Sequence, residues 1–243
     1  MKSGILEHIL RSGKKGKKLF AVLIDPDKFR EESVKKATRD GADLFLVGGS
    51  LITNGNFEYC VQRMKEITLL PVLIFPGNAM QLDKNADAIL FLSLISGRNP
   101  DLLIGQHVLA APALKRSKLE VIPTAYLLIE GGRISSTAYM SNTIPIPAGK
   151  SDIAVATALA GELLGFKMIY LEAGSGAKEP VTEKMISEVR KAVDLPIIVG
   201  GGIRDVKQTK AVCKAGADVV VVGTAAEKKN GMIRAIAKAI HSF

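Results

Sequence analysis

Three consecutive glycines, Gly200, Gly201 and Gly202, follow the apolar run Pro196-Ile197-Ile198-Val199 and lead into Ile203-Arg204-Asp205. Residues without a Cβ let backbone N–H groups come close to a ligand. Asp205 is an N-cap candidate for a helix over 206–215, whose first turn adds unsatisfied donors and partial positive charge. Strand, glycine turn and helix N-terminus in that order suit a phosphate, although the same order also serves as a plain tight turn. The device recurs over 218–225, where an apolar strand ends in Gly223-Thr224. Two carboxylates close apolar runs. Asp25 follows 19–24 and is either an oxygen ligand for a hard cation such as Mg²⁺ or the cap of a turn at Pro26. Glu172 ends Met168-Ile169-Tyr170-Leu171, where an ionised side chain is costly unless a partner or ligand needs it. It reads as a general base, as a stabiliser of developing positive charge, or as the partner of a barrel lysine. Ser50, after Gly48-Gly49, is a site hydroxyl or an ordinary loop hydroxyl.

Other chemistries are poorly supplied. His8, His107 and His241 are scattered, so neither a Ser/His/Asp arrangement nor metal-ligand histidine spacing is present. Cys60 and Cys213 show no CxxC spacing and read as reduced thiols of a cytoplasmic protein. Asp27 and Lys28 read as capping and solvating residues of the first helix. The net charge of +9 points to anionic partners. Its densest part, Lys14-Lys15-Gly16-Lys17-Lys18, reads as a solvated entry to the first strand, and without aromatic interleaving the sequence argues against nucleic acid. No apolar run approaches the roughly 18 residues of a membrane span.

Such strand-end residues need a scaffold that gathers strand ends. Apolar runs at 19–24, 43–47, 72–75, 88–93, 120–129, 168–172, 197–199 and 219–222 read as eight buried strands. After an amphipathic lead-in over 1–11, helices are expected over 30–40, 57–68, from about 101, and over 151–164, 182–193, 206–215 and 226–240. Ser151-Asp152 is expected to cap the fourth-to-last of these. Only about a dozen residues separate the third and fourth strands, too few for a full crossover helix. The segment 133–150 reads as a long irregular loop, and long ordered loops are commonly functional. With 243 residues, near the roughly 250 typical of the fold, the chain reads as a single α/β domain over 1–243: a (β/α)8 TIM barrel with a short or missing third helix. In that fold the active site lies at the C-terminal ends of the strands, and the turns after strands seven and eight often form one phosphate site.

The segments Leu23-Ile24-Asp25-Pro26-Asp27-Lys28, Val47-Gly48-Gly49-Ser50, Ser141-Asn142-Thr143-Ile144-Pro145-Ile146-Pro147, Tyr170-Leu171-Glu172-Ala173-Gly174-Ser175-Gly176, Gly200-Gly201-Gly202-Ile203-Arg204 and Val222-Gly223-Thr224 together resemble the geranylgeranylglyceryl phosphate synthases over almost the whole chain. The resemblance implies an Mg²⁺-dependent prenyltransferase that joins geranylgeranyl diphosphate to the primary hydroxyl of sn-glycerol 1-phosphate, the first ether bond of an ether lipid. It implies Asp25 and Ser50 as Mg²⁺ ligands. Glycerol phosphate would be held by Tyr170, Leu171, Glu172, Ala173, Gly174, Ser175, Gly176, Gly201, Gly202, Gly223 and Thr224, with Glu172 and Tyr170 as the catalytic pair. Related heptaprenyl enzymes carry a lysine two residues before the metal aspartate; Leu23 stands there, which favours the geranylgeranyl donor. A homo-oligomer, dimer or hexamer, is implied, as is transient contact with a membrane surface. A thin wall at the missing helix would leave room for the prenyl tail. The competing readings are a sugar-phosphate isomerase or synthase on the same barrel, and a non-catalytic scaffold.

Overall fold

Eight parallel strands pair in sequence order and close on themselves: β1 (Leu19–Ile24), β2 (Leu44–Val47), β3 (Val72–Ile74), β4 (Ala88–Ser93), β5 (Glu120–Leu128), β6 (Met168–Glu172), β7 (Ile197–Gly200) and β8 (Val219–Gly223), with β8 back against β1. The computed structural model describes residues 4–223 and 231–243. Strands buried on both faces read as continuous apolar runs, which is why they were legible. Alternation then splits them. Ala21, Leu46, Leu73, Leu90, Ile122, Tyr170 and Val221 fill the barrel, while Phe20, Val22, Phe45, Val47, Ile169, Leu171 and Val199 face the helices.

Helices α1 (Ile5–Lys14), α2 (Glu31–Asp40), α3 (Phe57–Ile67), α4 (Gln106–Arg116), α5 (Ser136–Ser141), α6 (Ser151–Leu163), α7 (Glu183–Ala192), α8 (Val206–Ala215) and α9 (Met232–Ile240) complete the chain. Through Ile9, Ile5 and Leu6, α1 closes the bottom of the barrel. Glu120 accepts the Ile5 and Leu6 N–H groups there, at 2.5 and 3.0 Å. Asp43, Asp87 and Asp218 each stand just before a strand and accept an N–H at the start of the neighbouring one, from Phe20, Val72 and Ile197, at 2.7 to 2.9 Å. These carboxylates fix the register at the bottom and leave the other end for function. Lys14, Lys15, Lys17 and Lys18 lie at this bottom end too, with Lys18 paired to Asp218, so the densest basic cluster is remote from the mouth.

No helix forms between β3 and β4, as the short gap required, while three other expectations change. The helix expected near Asp101 starts with a π-helical turn, Asp101–Gly105, before α4. The segment 133–150 is less irregular than expected: it carries α5, capped by Ser135, and a bridge from Ile129 to Ile146. Finally, α6 has Lys150 at its N-cap without a side-chain bond, because Ser151 is already its first helical residue. The last helix is described from Met232; its expected start at Ala226 lies outside the described residues. Among the described residues no helix is long and apolar enough to cross a membrane.

Candidate active site

Period-two alternation carries the barrel-facing set one step beyond its apolar layers. Two residues after Leu23, Leu73, Tyr170, Ile198 and Val221 stand Asp25, Phe75, Glu172, Gly200 and Gly223. Glu172 is buried, 6% exposed, and Oε1 accepts the Gly174 N–H at 2.7 Å. Burial raises its pKa to about 7; the Gly174 N–H and the Tyr170 hydroxyl pull the other way. No lysine pairs with it among the described residues, so the salt-bridge reading gains no support there. Tyr170 is wholly buried rather than at the rim. Its hydroxyl lies close enough to the carboxylate to stabilise the charged form, yet makes no hydrogen bond of ordinary geometry. Burial, with Glu172 beside it, keeps Tyr170 a neutral phenol by raising its pKa well above the usual range.

Both groups converge on β7. A Cβ on Gly200 would stand 2.6 Å from Tyr170 Oη and 2.7 Å from Glu172 Oε2. Gly201, at φ +81°, would put one 2.5 Å from Glu172 Oε1, and Gly202, at φ +75°, one 2.7 Å from the Glu179 carbonyl. The glycines after β7 therefore interlock with the loop after β6, where Gly174 and Gly176 are also left-handed. Ala173 N–H goes to Gly200 O and Gly174 N–H to Glu172. The N–H groups of Ser175, Gly176, Gly201 and Gly202 have no partner among the described residues, and Ser175 and Gly176 are exposed. That concavity of donors, with the Asp205-capped start of α8 just beyond, is what an anion requires. Leu171 points into the helix-facing core, so only its backbone is available to a ligand. No described residue would come within 4 Å of a Cβ on Gly223, and Thr224 lies outside the described residues.

Across the mouth, Asp25 takes the capping role expected of it. Oδ1 accepts the Asp27 N–H at 3.0 Å, capping the turn Pro26–Lys28, and Oδ2 pairs with Lys28 at 2.5 Å. Asp25 follows β1 and Ser50 follows the adjacent β2, and a Cβ on Gly49 would stand 3.9 Å from Asp25 Oδ1. A carboxylate and a hydroxyl at neighbouring strand ends suit Mg²⁺, which takes few protein oxygens and completes its shell with phosphate and water. Ser50 Oγ lies 3.1 Å from Thr137 Oγ1, so α5 bends over the mouth.

Three positioning residues escaped the sequence reading. Asp27 does not cap the first helix. Its carboxylate accepts the N–H groups of Thr53, Asn54 and Gly55 and the Thr53 hydroxyl, which holds its pKa far below the usual carboxylate range. Gln81, 4% exposed, donates to Gly49 O at 2.8 Å and accepts from Gly77 N–H at 3.1 Å, tying the Ser50 turn to the helix-free segment. Thr137 gave no signal because no motif marks it. The same helix-free segment borders a largely apolar groove of about 260 Å³, lined by Phe75, Leu82, Phe91, Leu102 and Tyr126 and reaching Ser50. His107 sits in this groove edge-on to Phe91 at 4.5 Å, as a packing residue held neutral by burial. Burial also pushes the Cys60 and Cys213 thiols up to about 12 and 11, so neither is a nucleophile.

The model of the PcrB family matches residues 13–240. A geranylgeranylglyceryl phosphate synthase of Chitinophaga pinensis is 53% identical over 232 residues, covering 94% of this chain and 92% of its own. One from Thermococcus gammatolerans is 43% identical over 237 residues, covering 96% and 93%. The crystal structure of (S)-3-O-geranylgeranylglyceryl phosphate synthase from Thermoplasma acidophilum, in complex with its substrate sn-glycerol-1-phosphate, superposes with a TM-score of 0.93 at 33% identity, over 99% of this chain and 100% of that one. By sequence and by fold, over nearly its whole length, the chain belongs to the PcrB family of geranylgeranylglyceryl phosphate synthases.

Proposed function

We propose that the chain transfers the geranylgeranyl group of geranylgeranyl diphosphate to the primary hydroxyl of sn-glycerol 1-phosphate, with Mg²⁺. The observation that carries this reading is a buried carboxylate with a pKa of about 7, bonded into a glycine cradle at the same barrel mouth onto which an apolar groove opens at Ser50 and Phe75. The acceptor's phosphate sits on the N–H groups of Ser175, Gly176, Gly201 and Gly202, with Gly223 at the end of the neighbouring β8. Its hydroxyl lies at Glu172, which takes the proton as the ether bond forms. Tyr170 holds the charged form of that carboxylate beside it. The prenyl tail lies in the groove left by the missing helix, where apolar walls exclude water from the reacting end. Asp25 and Ser50 hold Mg²⁺, which supplies charge neutralisation for the departing diphosphate. Leu23, a lining residue at the mouth end of β1, leaves no cation two residues before Asp25 and favours the geranylgeranyl donor over a heptaprenyl one. We also propose that the chain works as a homo-oligomer, a dimer or hexamer, in the cytoplasm, meeting its donor at a membrane surface.

Incubation with sn-glycerol 1-phosphate, radiolabelled geranylgeranyl diphosphate and Mg²⁺ tests this. Labelled prenyl glycerol phosphate should extract into organic solvent; release of label only as free prenol would sink the transfer reading.

A further inference from the structure

Between the metal-side hydroxyl and the proposed base stands a group that neither role uses. Phe75 occupies the barrel-facing position two residues after Leu73, in the same top layer as Asp25 and Glu172. One face of its ring is stacked on Tyr170, with centroids 5.1 Å apart and planes 18° apart. Tyr126 closes one side, tilted against both rings at 6.0 and 5.3 Å. Phe75 is still only half-buried and lines the groove together with Ser50 and Tyr126, so its free side is turned into the groove. The Tyr170 ring behind it carries the hydroxyl that meets Glu172 at Gly200. Phe75 therefore joins the groove wall that reaches Ser50 to the Tyr170 ring beside Glu172.

The position is also imposed by the backbone. Gly48 has φ +152°, and a Cβ there would stand 2.0 Å from the Phe75 carbonyl. The Ser50 turn packs directly on the Phe75 backbone, and Gln81 locks the two segments together. The ring cannot drift from the metal-side turn without undoing both contacts.

Resting on the transfer reaction proposed above, we infer that Phe75 is a catalytic residue whose ring face stabilises positive charge on the reacting carbon of the donor. As the C1–O bond of the allylic diphosphate lengthens, its electron pair leaves with the diphosphate and positive charge spreads over C1 and C3. The acceptor oxygen then bonds to C1 and its proton passes to Glu172, giving ether, diphosphate and a neutral acid. While that charge exists it lies in a groove whose apolar walls solvate it poorly, and an aromatic face is the wall that attracts a cation. Tyr126 and the stacked Tyr170 hold the ring in place and add electron density behind it.

The test replaces Phe75 with 4-fluoro-, 3,5-difluoro- and 3,4,5-trifluorophenylalanine, which keep the ring's shape while draining its face of negative potential. The readout is the single-turnover rate constant of ether formation, with Kd for sn-glycerol 1-phosphate and Tm measured alongside. The rate should fall at each added fluorine, to about one-thirtieth of wild type for the trifluoro ring, while Kd and Tm stay put. Phe75→Tyr should keep most of the rate, and Phe75→Leu should lose at least as much as the trifluoro protein. Equal rates across the fluorinated series, with a loss confined to Phe75→Leu, would reduce Phe75 to packing and overturn the inference. Absence of transfer by the wild-type chain would instead remove the reaction itself, and this inference with it.

Discussion

Glu172 Oε1 accepts the Gly174 N–H at 2.7 Å, so the side chain placed to take a proton also shapes the turn placed to hold a phosphate. Base and cradle are one unit. A change to either should disturb both.

With a pKa of about 7, Glu172 is half-ionised near neutrality. Only the ionised form can accept the acceptor's proton, so kcat/KM should rise about tenfold per pH unit below 7 and level off above it. Glu172→Gln should lower kcat by a factor of about 10²–10⁴, the usual contribution of a general base. A pH–rate profile of both proteins between pH 5.5 and 8.5 reads this out; a wild-type profile flat from 5.5 to 7 would refute the assignment.

The same shift has a cost in stability, whose sign can be worked out. The folded pKa, about 7, lies above the ordinary value of 4.5, so the folded state holds the extra proton in between. The stability linked to this group is full below 4.5 and is lost as pH rises through 7. Glu172→Gln cannot ionise and escapes that loss. It should therefore be more stable than wild type at pH 8.5 by up to about 3 kcal/mol, and close to wild type at pH 4.5. Urea unfolding at the two pH values decides; a difference independent of pH would contradict it.

Gly201 has φ +81° and no room beside Glu172 Oε1, whereas no described residue crowds a Cβ on Gly223. Gly201→Ala should cost about 1–2 kcal/mol for the left-handed backbone and displace the carboxylate, so activity should fall more than stability suggests. Gly223→Ala should change Tm little. Calorimetric binding of sn-glycerol 1-phosphate, beside thermal melts of each variant, separates the two; equal losses of affinity would remove Glu172 from the explanation.

Asp25 already carries Lys28, whose side chain is 70% exposed. An exposed pair of this kind is worth about 0–1 kcal/mol, so Lys28→Ala should shift the Mg²⁺ half-saturation less than about fivefold. Asp25→Ala should abolish activity at any reachable Mg²⁺ concentration, and chelation should silence the wild type. Full activity after thorough chelation would remove the metal from Asp25 and Ser50.

The barrel was legible because each strand is buried on both faces and each glycine turn follows one. The dozen residues between β3 and β4 announced the missing helix by length alone. Asp25 and Glu172 stood out as carboxylates at the ends of apolar runs. What could not be read is which loops meet. Gln81 and Thr137 act on Gly49 and Ser50 across distances of 32 and 87 residues, and nothing in their neighbours hints at a partner. Asp27 looked like a helix cap because it precedes a helix, yet its acceptors serve the next loop. Alternation puts Tyr170 one layer deeper than Glu172, inside the barrel, which the run Met168 to Glu172 does not announce by residue type alone.

Acceptor choice bears most directly on the claim that the glycine cradle and Glu172 hold one particular glycerol phosphate. The decisive measurement compares initial rates of ether formation from sn-glycerol 1-phosphate and sn-glycerol 3-phosphate at equal concentration, with geranylgeranyl diphosphate and Mg²⁺ saturating. With the phosphate on the cradle and the primary hydroxyl at Glu172, the two enantiomers turn their secondary hydroxyls to opposite sides of the site. The 1-phosphate should react at least about 100-fold faster, the discrimination expected when a wrong isomer leaves buried polar groups unpaired. Equal rates for the two would contradict the site as described.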